Sequence, residues 1–231
     1  DHPDVFKAWV FACFIPGHET RQALWLMGKH GEDGKSKVIM AIAELFGQAA
    51  AVIDKAQLSS GNRFLLSQYV GKRLVAYPDC KATYFPSTEI FRNLTGGDIV
   101  QAEFKGAGTT QFKMRVKLIV GSNYEPDMTA ANYDRSRMLV VRVSESNVKD
   151  DSGWPQRLYE ELPAFLGNCR DAYIRLCPTG GKVQVPSGMD ELLSECSAYS
   201  NEDFQNIFES GFRVDFDKRL DDYVTGVQMS R

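Results

Sequence analysis

The chain is poor in metal-binding side chains and has no paired cysteines, and each shortage removes a class of chemistry. It holds three histidines, His2, His18 and His30, with no ligand spacing between them. Its five cysteines are Cys13, Cys80, Cys169, Cys177 and Cys196. An odd, scattered set without a CxxC pair argues against both a zinc site and a disulfide framework. Reduced, buried thiols in a cytoplasmic protein are the expectation, the host cell's cytoplasm if the source is a phage or virus. No apolar run approaches the ~20 residues that cross a bilayer, so no membrane partner is expected. The opening DHPDVFKAWVFACF carries acids, no basic leader region and no initiator Met, and is expected to be the start of a fragment of a longer chain. Positive charge is not in excess either: 27 Lys and Arg stand against 30 Asp and Glu, for a net charge of −3. That argues against a freestanding basic clamp on nucleic acid, while leaving room for lysines presented locally, as in a pore.

What is present is an ordinary globular composition over 231 residues, enough for one large core or a core with a small lobe. No internal repeat or low-complexity tract interrupts it. Val5, Phe6, Trp9, Val10 and Cys13 recur at helical spacing, and Pro16-Gly17 ends that helix. ALWLM (23–27) reads as a buried strand. After a glycine-rich loop, Val38, Ile39, Ile42, Leu45 and Phe46 form the apolar face of a helix that Gly47 stops. AAAVI (49–53) reads as a strand, NRFLLSQYV (62–70) as a helix, and RLVAY (73–77) as a strand stopped by Pro78-Asp79. STEIFRNL (87–94) is a helix with Ser87 or Thr88 as its cap. KLIVGSN (117–123) and RMLVVRV (137–143) are strands. Alternation of this kind predicts an α/β fold, a largely parallel sheet covered on both faces. One segment breaks it: IVQAEFK (99–105) and QFKMRVK (111–117), joined by GAGTT, read as an inserted β-hairpin. Lys105 precedes its tip, and Lys113, Arg115 and Lys117 follow. Beyond residue 144, DDSGWP (150–155) reads as a linker turn, 156–176 as a helix with Leu158, Leu162, Phe165 and Leu166 on one face, 178–188 as a loop and 190–212 as an acidic helix. The expected division is a core of residues 1–143, containing the hairpin 99–117, and a small α-helical lobe of 144–231.

The stretch GKHGEDGKS (28–36) lies between the first strand and the second helix, the context of a phosphate-binding loop. Its second half is intact as Gly34, Lys35 and Ser36. The first glycine is displaced: Gly28 falls one position early, Lys29 stands where glycine is usual, and Glu32 and Asp33 lie within the loop. In such loops backbone N–H groups and a helix N-terminus face phosphate, the lysine meets the β- and γ-phosphates, and the hydroxyl ligates Mg²⁺. The residues expected to line a nucleotide are Gly28, Gly31, Glu32, Asp33, Gly34, Lys35, Ser36 and Lys37. A Gly/Lys-rich surface turn is the competing reading. Asp79 ends a strand on the edge where α/β sheets bind ligands, and is expected to share the metal with Ser36, against the competing reading of a turn aspartate. Asn123 ends another strand, or is a turn residue before Tyr-Glu-Pro.

In this order these segments resemble the superfamily 3 helicases, more narrowly the helicase domain of poxvirus- and phage-type primase-helicases, which belong to the AAA+ ATPases. The most specific stretch is FRNLTGGDIVQAEFKGAGTTQFKMRVKLIVGSNYEP (91–126), in which Arg92, Leu94 to Asp98, Lys105, Phe112 and Asn123 match in order. ELPAF and KVQVPSG are similar to that family's C-terminal lobe. The resemblance implies an AAA+-like three-layer core and a ring-forming replicative DNA helicase, a hexamer, using ATP and Mg²⁺ and moving 3′ to 5′ on single-stranded DNA. It also implies a primase or primase-polymerase region upstream. By the same resemblance Lys35 and Ser36 hold Mg-ATP, Asp79 is the acid that ends the metal-binding strand, and Asn123 positions water. Arg137, or Arg135 as its substitute, is a finger reaching a neighbour's ATP, and Lys105 with Lys113 meets DNA. The family usually ends the metal-binding strand in glutamate or an acid pair, whereas here Pro78 and Cys80 flank Asp79, so Glu89 is a second candidate for polarising water. An ATP-binding scaffold that loads DNA with little unwinding is the alternative.

Overall fold

A computed structural model describes residues 3–15, 18, 21–28, 34–53, 65–81, 88–106, 108–126, 135–143 and 153–184. Five strands form one parallel sheet: β1 (Ala23–Met27), β2 (Ala50–Val52), β3 (Leu74–Cys80), β6 (Lys117–Ser122) and β7 (Met138–Arg142), in the spatial order β2-β3-β6-β1-β7. β1 and β6 are buried at every position, as near-continuous apolar runs in a sheet covered on both sides require. Alternate residues of these strands feed two separate cores. Trp25, Val75, Tyr77, Leu118 and Val140 point to one, where they meet Phe91 and Leu94 of α3 (Thr88–Gly96) and Val100 of β4 (Ile99–Phe104). Leu24, Leu26, Leu74, Ile119 and Leu139 point to the other, against α1 (Pro3–Phe14), α2 (Lys35–Phe46) and α4 (Trp154–Leu176). The layers are thus helices, sheet, then α3 with the hairpin of β4 and β5 (Gly108–Lys113).

Several elements differ from expectation. The helix expected over 62–70 is a single 3₁₀ turn, Leu66–Tyr69, with 62–64 outside the described residues. Leu65 and Tyr69 are buried in the core, and Gly71, at φ +75°, then redirects the chain into β3. Pro78 does not stop β3. Tyr77 pairs with Val120 and Cys80 with Ser122, so three steps on β3 oppose two on β6. This bulge accommodates a proline that has no N–H for the ladder. The hairpin is shorter than 99–117: Thr109 and Thr110 are already paired, and β5 ends at Lys113. Lys117 instead opens β6, is buried, and donates from Nζ to the His18 carbonyl at 2.7 Å. Val38 lies outside the buried face of α2, which is Ile39, Ala41, Ile42 and Ala43. Trp154 and Pro155 belong to the start of α4 rather than to a linker, in keeping with proline's fitness for a helix's first turn.

α4 packs along α1, with Phe165, Cys169, Ala172, Tyr173 and Leu176 in their shared core. The chain beyond α4 is clipped back by Gln22, whose amide donates to the Val183 carbonyl (3.1 Å) and accepts from its N–H (2.8 Å). Gln22 also offers its carbonyl to Trp9 Nε1 at 2.7 Å, so one buried residue secures the entry to β1. Cys13, Cys80, Cys169 and Cys177 are free and buried, and burial pushes the last two thiols up to about 11. The expected helix 190–212, Cys196 and the Ser87 cap lie outside the described residues. Among the described residues no helix is long and apolar enough to cross a membrane.

Gly121 is where β6, β3 and α2 meet most closely. A Cβ there would stand 2.7 Å from the Pro78 carbonyl oxygen and 2.7 Å from Ile39 Cδ1. Backbone cannot yield as a flexible side chain can, so Gly121→Ala is expected to lose about 1–3 kcal/mol of stability. A urea unfolding curve checks this; an unchanged midpoint would mean the bulge gives way freely.

Candidate functional site

All five strands end on one edge of the sheet, and three separate segments converge there. β1 runs into Gly28, whose N–H donates to the Ser122 carbonyl at 3.1 Å and extends the ladder one step past the strand. Gly34, at a left-handed φ of +83°, turns the chain into α2. The N-terminus of α2 has no acid in its first turn and no side-chain cap, so its N–H groups and positive dipole end face outward. Lys35 opens the helix, only 5% exposed, and its Nζ donates to Asn123 Oδ1 at 2.7 Å. A buried ammonium at the positive end of a helix is electrostatically unfavourable, and an anion placed there would relieve it.

Ser36, one residue on, donates from Oγ to the Pro78 carbonyl at 3.0 Å. That carbonyl belongs to the β3 bulge, so the hydroxyl is tied beside Asp79. Asp79 is exposed and lies 3.5 Å from Lys81 Nζ, an exposed pair that contributes little. Ser122 closes the arrangement: its Oγ donates to the Cys80 carbonyl (2.8 Å) and accepts from the Tyr124 N–H (3.0 Å), fixing the turn that presents Asn123. Arg142, paired in register with Met27, sits on the same edge with its Nη2 3.5 Å from Glu125. Sequence reading missed Ser122 and Arg142. For Ser122 the signal was its place after a strand glycine; for Arg142 only strand pairing reveals it.

The other predicted residues divide clearly. Lys37 is exposed on the first turn of α2. Gly31, Glu32 and Asp33 lie outside the described residues, as does the side chain of Arg135. Glu89 is exposed in the first turn of α3. Arg137 is on the opposite edge of the sheet. It ends the 3₁₀ turn before Met138, and Met138 pairs with Ala23, the first residue of β1. The length of β1, about 16 Å at the usual rise, therefore separates it from the loop at Gly28. There it meets the Leu-Thr-Gly-Gly-Asp segment: a Cβ on Gly96 would lie 3.9 Å from Arg137 Nη1 and 2.6 Å from Asp98 Oδ2. Lys105, exposed at the hairpin tip, and Lys113, exposed at its base, are on this side too, because residues 114–116 lead from β5 into the start of β6. Among the described residues no cluster of three or more His, Cys, Asp or Glu could hold a metal without a ligand's help.

Residues 26–137, slightly under half of the chain, match a family of unknown function (DUF5906). No curated protein matches. Among solved structures, the A form apo structure of the NrS-1 C terminal region is similar at a TM-score of 0.59 and 17% identity, over 91% of this chain and 53% of that one. A second apo structure of that region gives 0.59 and 19%, over 90% and 52%. A JCV helicase with a bound inhibitor-like compound gives 0.44 and 14%, over 87% and 61%, a likeness too low to carry an argument. The chain spans about half the length of the NrS-1 structures it matches. At these identities the likeness shows the α/β fold with its parallel sheet.

The Lys35–Asn123 contact sets a test of the site's internal energetics. Asn123→Ala is expected to cost about 1–3 kcal/mol, because a buried charged donor loses this acceptor. In a Lys35→Met background the same change should cost markedly less. Equal costs in a double-mutant cycle read by denaturant unfolding would show that the contact contributes nothing.

Proposed function

We propose that this chain is a ring-forming, ATP-dependent DNA helicase domain of the superfamily 3 type, which binds Mg-ATP at the edge bearing Gly34, Lys35, Ser36, Asp79 and Asn123. The observation that carries the reading is the pair of hydrogen bonds from consecutive residues, Lys35 to Asn123 and Ser36 to the Pro78 carbonyl, which join the glycine-rich loop to the ends of β6 and β3. An outward-facing helix N-terminus, a buried lysine, a hydroxyl and a carboxylate suit a polyphosphate with its divalent cation. ATP would supply the phosphoanhydride that is cleaved. Lys35 holds the β- and γ-phosphates, exchanging its bond to Asn123 for phosphate oxygen. Ser36 and Asp79 hold the cation, and Asn123, released, orients the attacking water. Asp79, or Glu89 from α3, polarises that water.

Arg137 lies a strand's length from its own chain's loop, so it serves the site of an adjacent copy. An arginine supplied in this way is typically worth ~10³–10⁵ in rate, and it makes hydrolysis depend on assembly. Arg135 is the alternative finger. A hexameric ring, single-stranded DNA contacted by Lys105 and Lys113, an upstream primase region and a cytoplasmic setting complete the proposal. One observation favours the second reading, a DNA-loading scaffold with little unwinding: Asp79 stands between Pro78 and Cys80 as a single, well-exposed acid on its strand.

ATP turnover measured with and without single-stranded DNA tests the proposal. The wild type should be stimulated by DNA, and Lys35→Ala should lose at least ~10²-fold, the usual loss for a group that stabilises transferring charge. A wild type that hydrolyses no ATP at concentrations where it assembles would refute the helicase reading. Binding without turnover would favour the scaffold.

A further inference from the structure

On the edge of the sheet opposite the α2 N-terminus lies a cleft of about 400 Å³. Four separate parts of the chain wall it: the end of α1 with the segment to Arg21, the turn Tyr69–Arg73, the end of α3 at Thr95–Gly97, and the link Phe112–Lys117. Six cations line it, Arg21, Lys72, Arg73, Lys113, Arg115 and Lys117, together with His18, and none of the described lining residues is Asp or Glu. In a chain with net charge −3 this concentration of one sign stands out. Three of the cations are held on backbone carbonyls: Arg73 Nη2 on Cys13 (2.9 Å), Lys117 Nζ on His18 (2.7 Å) and Lys72 Nζ on Gln48 (2.5 Å). These bonds fix the side chains without cancelling their charge. The field is felt locally: burial and then the Lys117 charge hold His18 below its ordinary value.

Phe112, half-buried on β5, gives the cleft an aromatic wall at the base of the hairpin whose tip carries Lys105. A basic groove with an aromatic face is the chemistry that holds single-stranded nucleic acid, cations on the phosphates and a ring under a base. We propose that this cleft is a second phosphate-backbone site for single-stranded nucleic acid, separate from the hairpin tip, with Arg21, Lys113 and Arg115 at its mouth and Arg73 and Lys117 on its floor. It rests on the reading of this domain as one that acts on single-stranded DNA. The same phosphate chemistry has another source, a nucleotide presented by a neighbouring copy beside Arg137.

Fluorescence anisotropy of a labelled oligothymidylate across a salt series separates these cases. Arg21 and Arg115 are exposed and no described partner holds them, so Arg21→Ala/Arg115→Ala should fold; Arg115→Gln alone serves if it does not. The double variant should bind at least tenfold more weakly, and its log–log salt slope should fall by about 1.4–1.8, near 0.7–0.9 per lost phosphate contact. Its DNA-free ATP turnover should be unchanged. Wild-type affinity and slope in this variant, with weakened binding by Lys105→Ala, would overturn the cleft and leave the helicase reading standing. If neither protein binds the oligonucleotide while ATP turnover persists, both the cleft and the DNA reading fall and the nucleotide site survives. If the double variant instead keeps the oligonucleotide and loses ATP binding in a Lys35→Ala background, the cleft serves a nucleotide and the assignment to nucleic acid is wrong.

Discussion

At Gly121 the central strand β6 comes so near the carbonyl of Pro78 that no side chain fits between them. The geometry of the candidate site follows from that approach. It seats the β3 bulge against β6, and the bulge turns the Pro78 carbonyl toward α2, where Ser36 finds it. Ser122, the next residue of β6, takes the Cys80 carbonyl on the far side of the same bulge. Asp79 is thereby held between two hydrogen-bonded carbonyls, its carboxylate in solvent and its backbone pinned. Asn123 follows directly and meets Lys35. A proline, which a ladder rejects, and a glycine, which weakens a strand, are local costs that the sheet accepts at one place. They fall beside the residues proposed to hold the nucleotide.

Parallel strands give the molecule two chemically different edges. One carries the uncapped helix N-terminus, the buried lysine and the acid. The other carries Arg137, the hairpin with Lys105, and the cation-lined cleft. Because the sheet's own length separates them, no single copy can bring Arg137 to its own loop. On the proposed reading, this makes a subunit incomplete by construction: one edge is finished by the next copy, and the DNA side faces away from the nucleotide it depends on. The Arg137–Gly96–Asp98 meeting is a physical link between the finger and the segment leading into the hairpin. A bare Cα at Gly96 makes room for it.

Much of this was legible in the chain. The buried strands were visible as apolar runs, and the Gly-Lys-Ser, Asp79 and Asn123 positions followed from their places at strand ends. What stayed hidden depended on partners far away in sequence. Lys117 read as a charge on the hairpin, because its acceptor is a carbonyl 99 residues distant. Pro78 read as a stop, because a bulge is a property of two strands and only one was in view. The turn at Leu66–Tyr69 read as a helix, because two or three buried apolar residues suit one turn as well as two. The cleft has no sequence signature at all: four segments contribute its cations singly or in pairs.

The central claim is that catalysis belongs to the junction between copies, with Lys35 from one and Arg137 from the next. Mixing Lys35→Ala and Arg137→Ala proteins, each inactive alone, tests this directly by the ATP turnover of the mixture. Some junctions in a mixed assembly would hold an intact Lys35 facing an intact Arg137, so activity should return, rising and then falling as the ratio is varied. Mixtures that stay as inactive as either parent, while still co-assembling, would contradict the account.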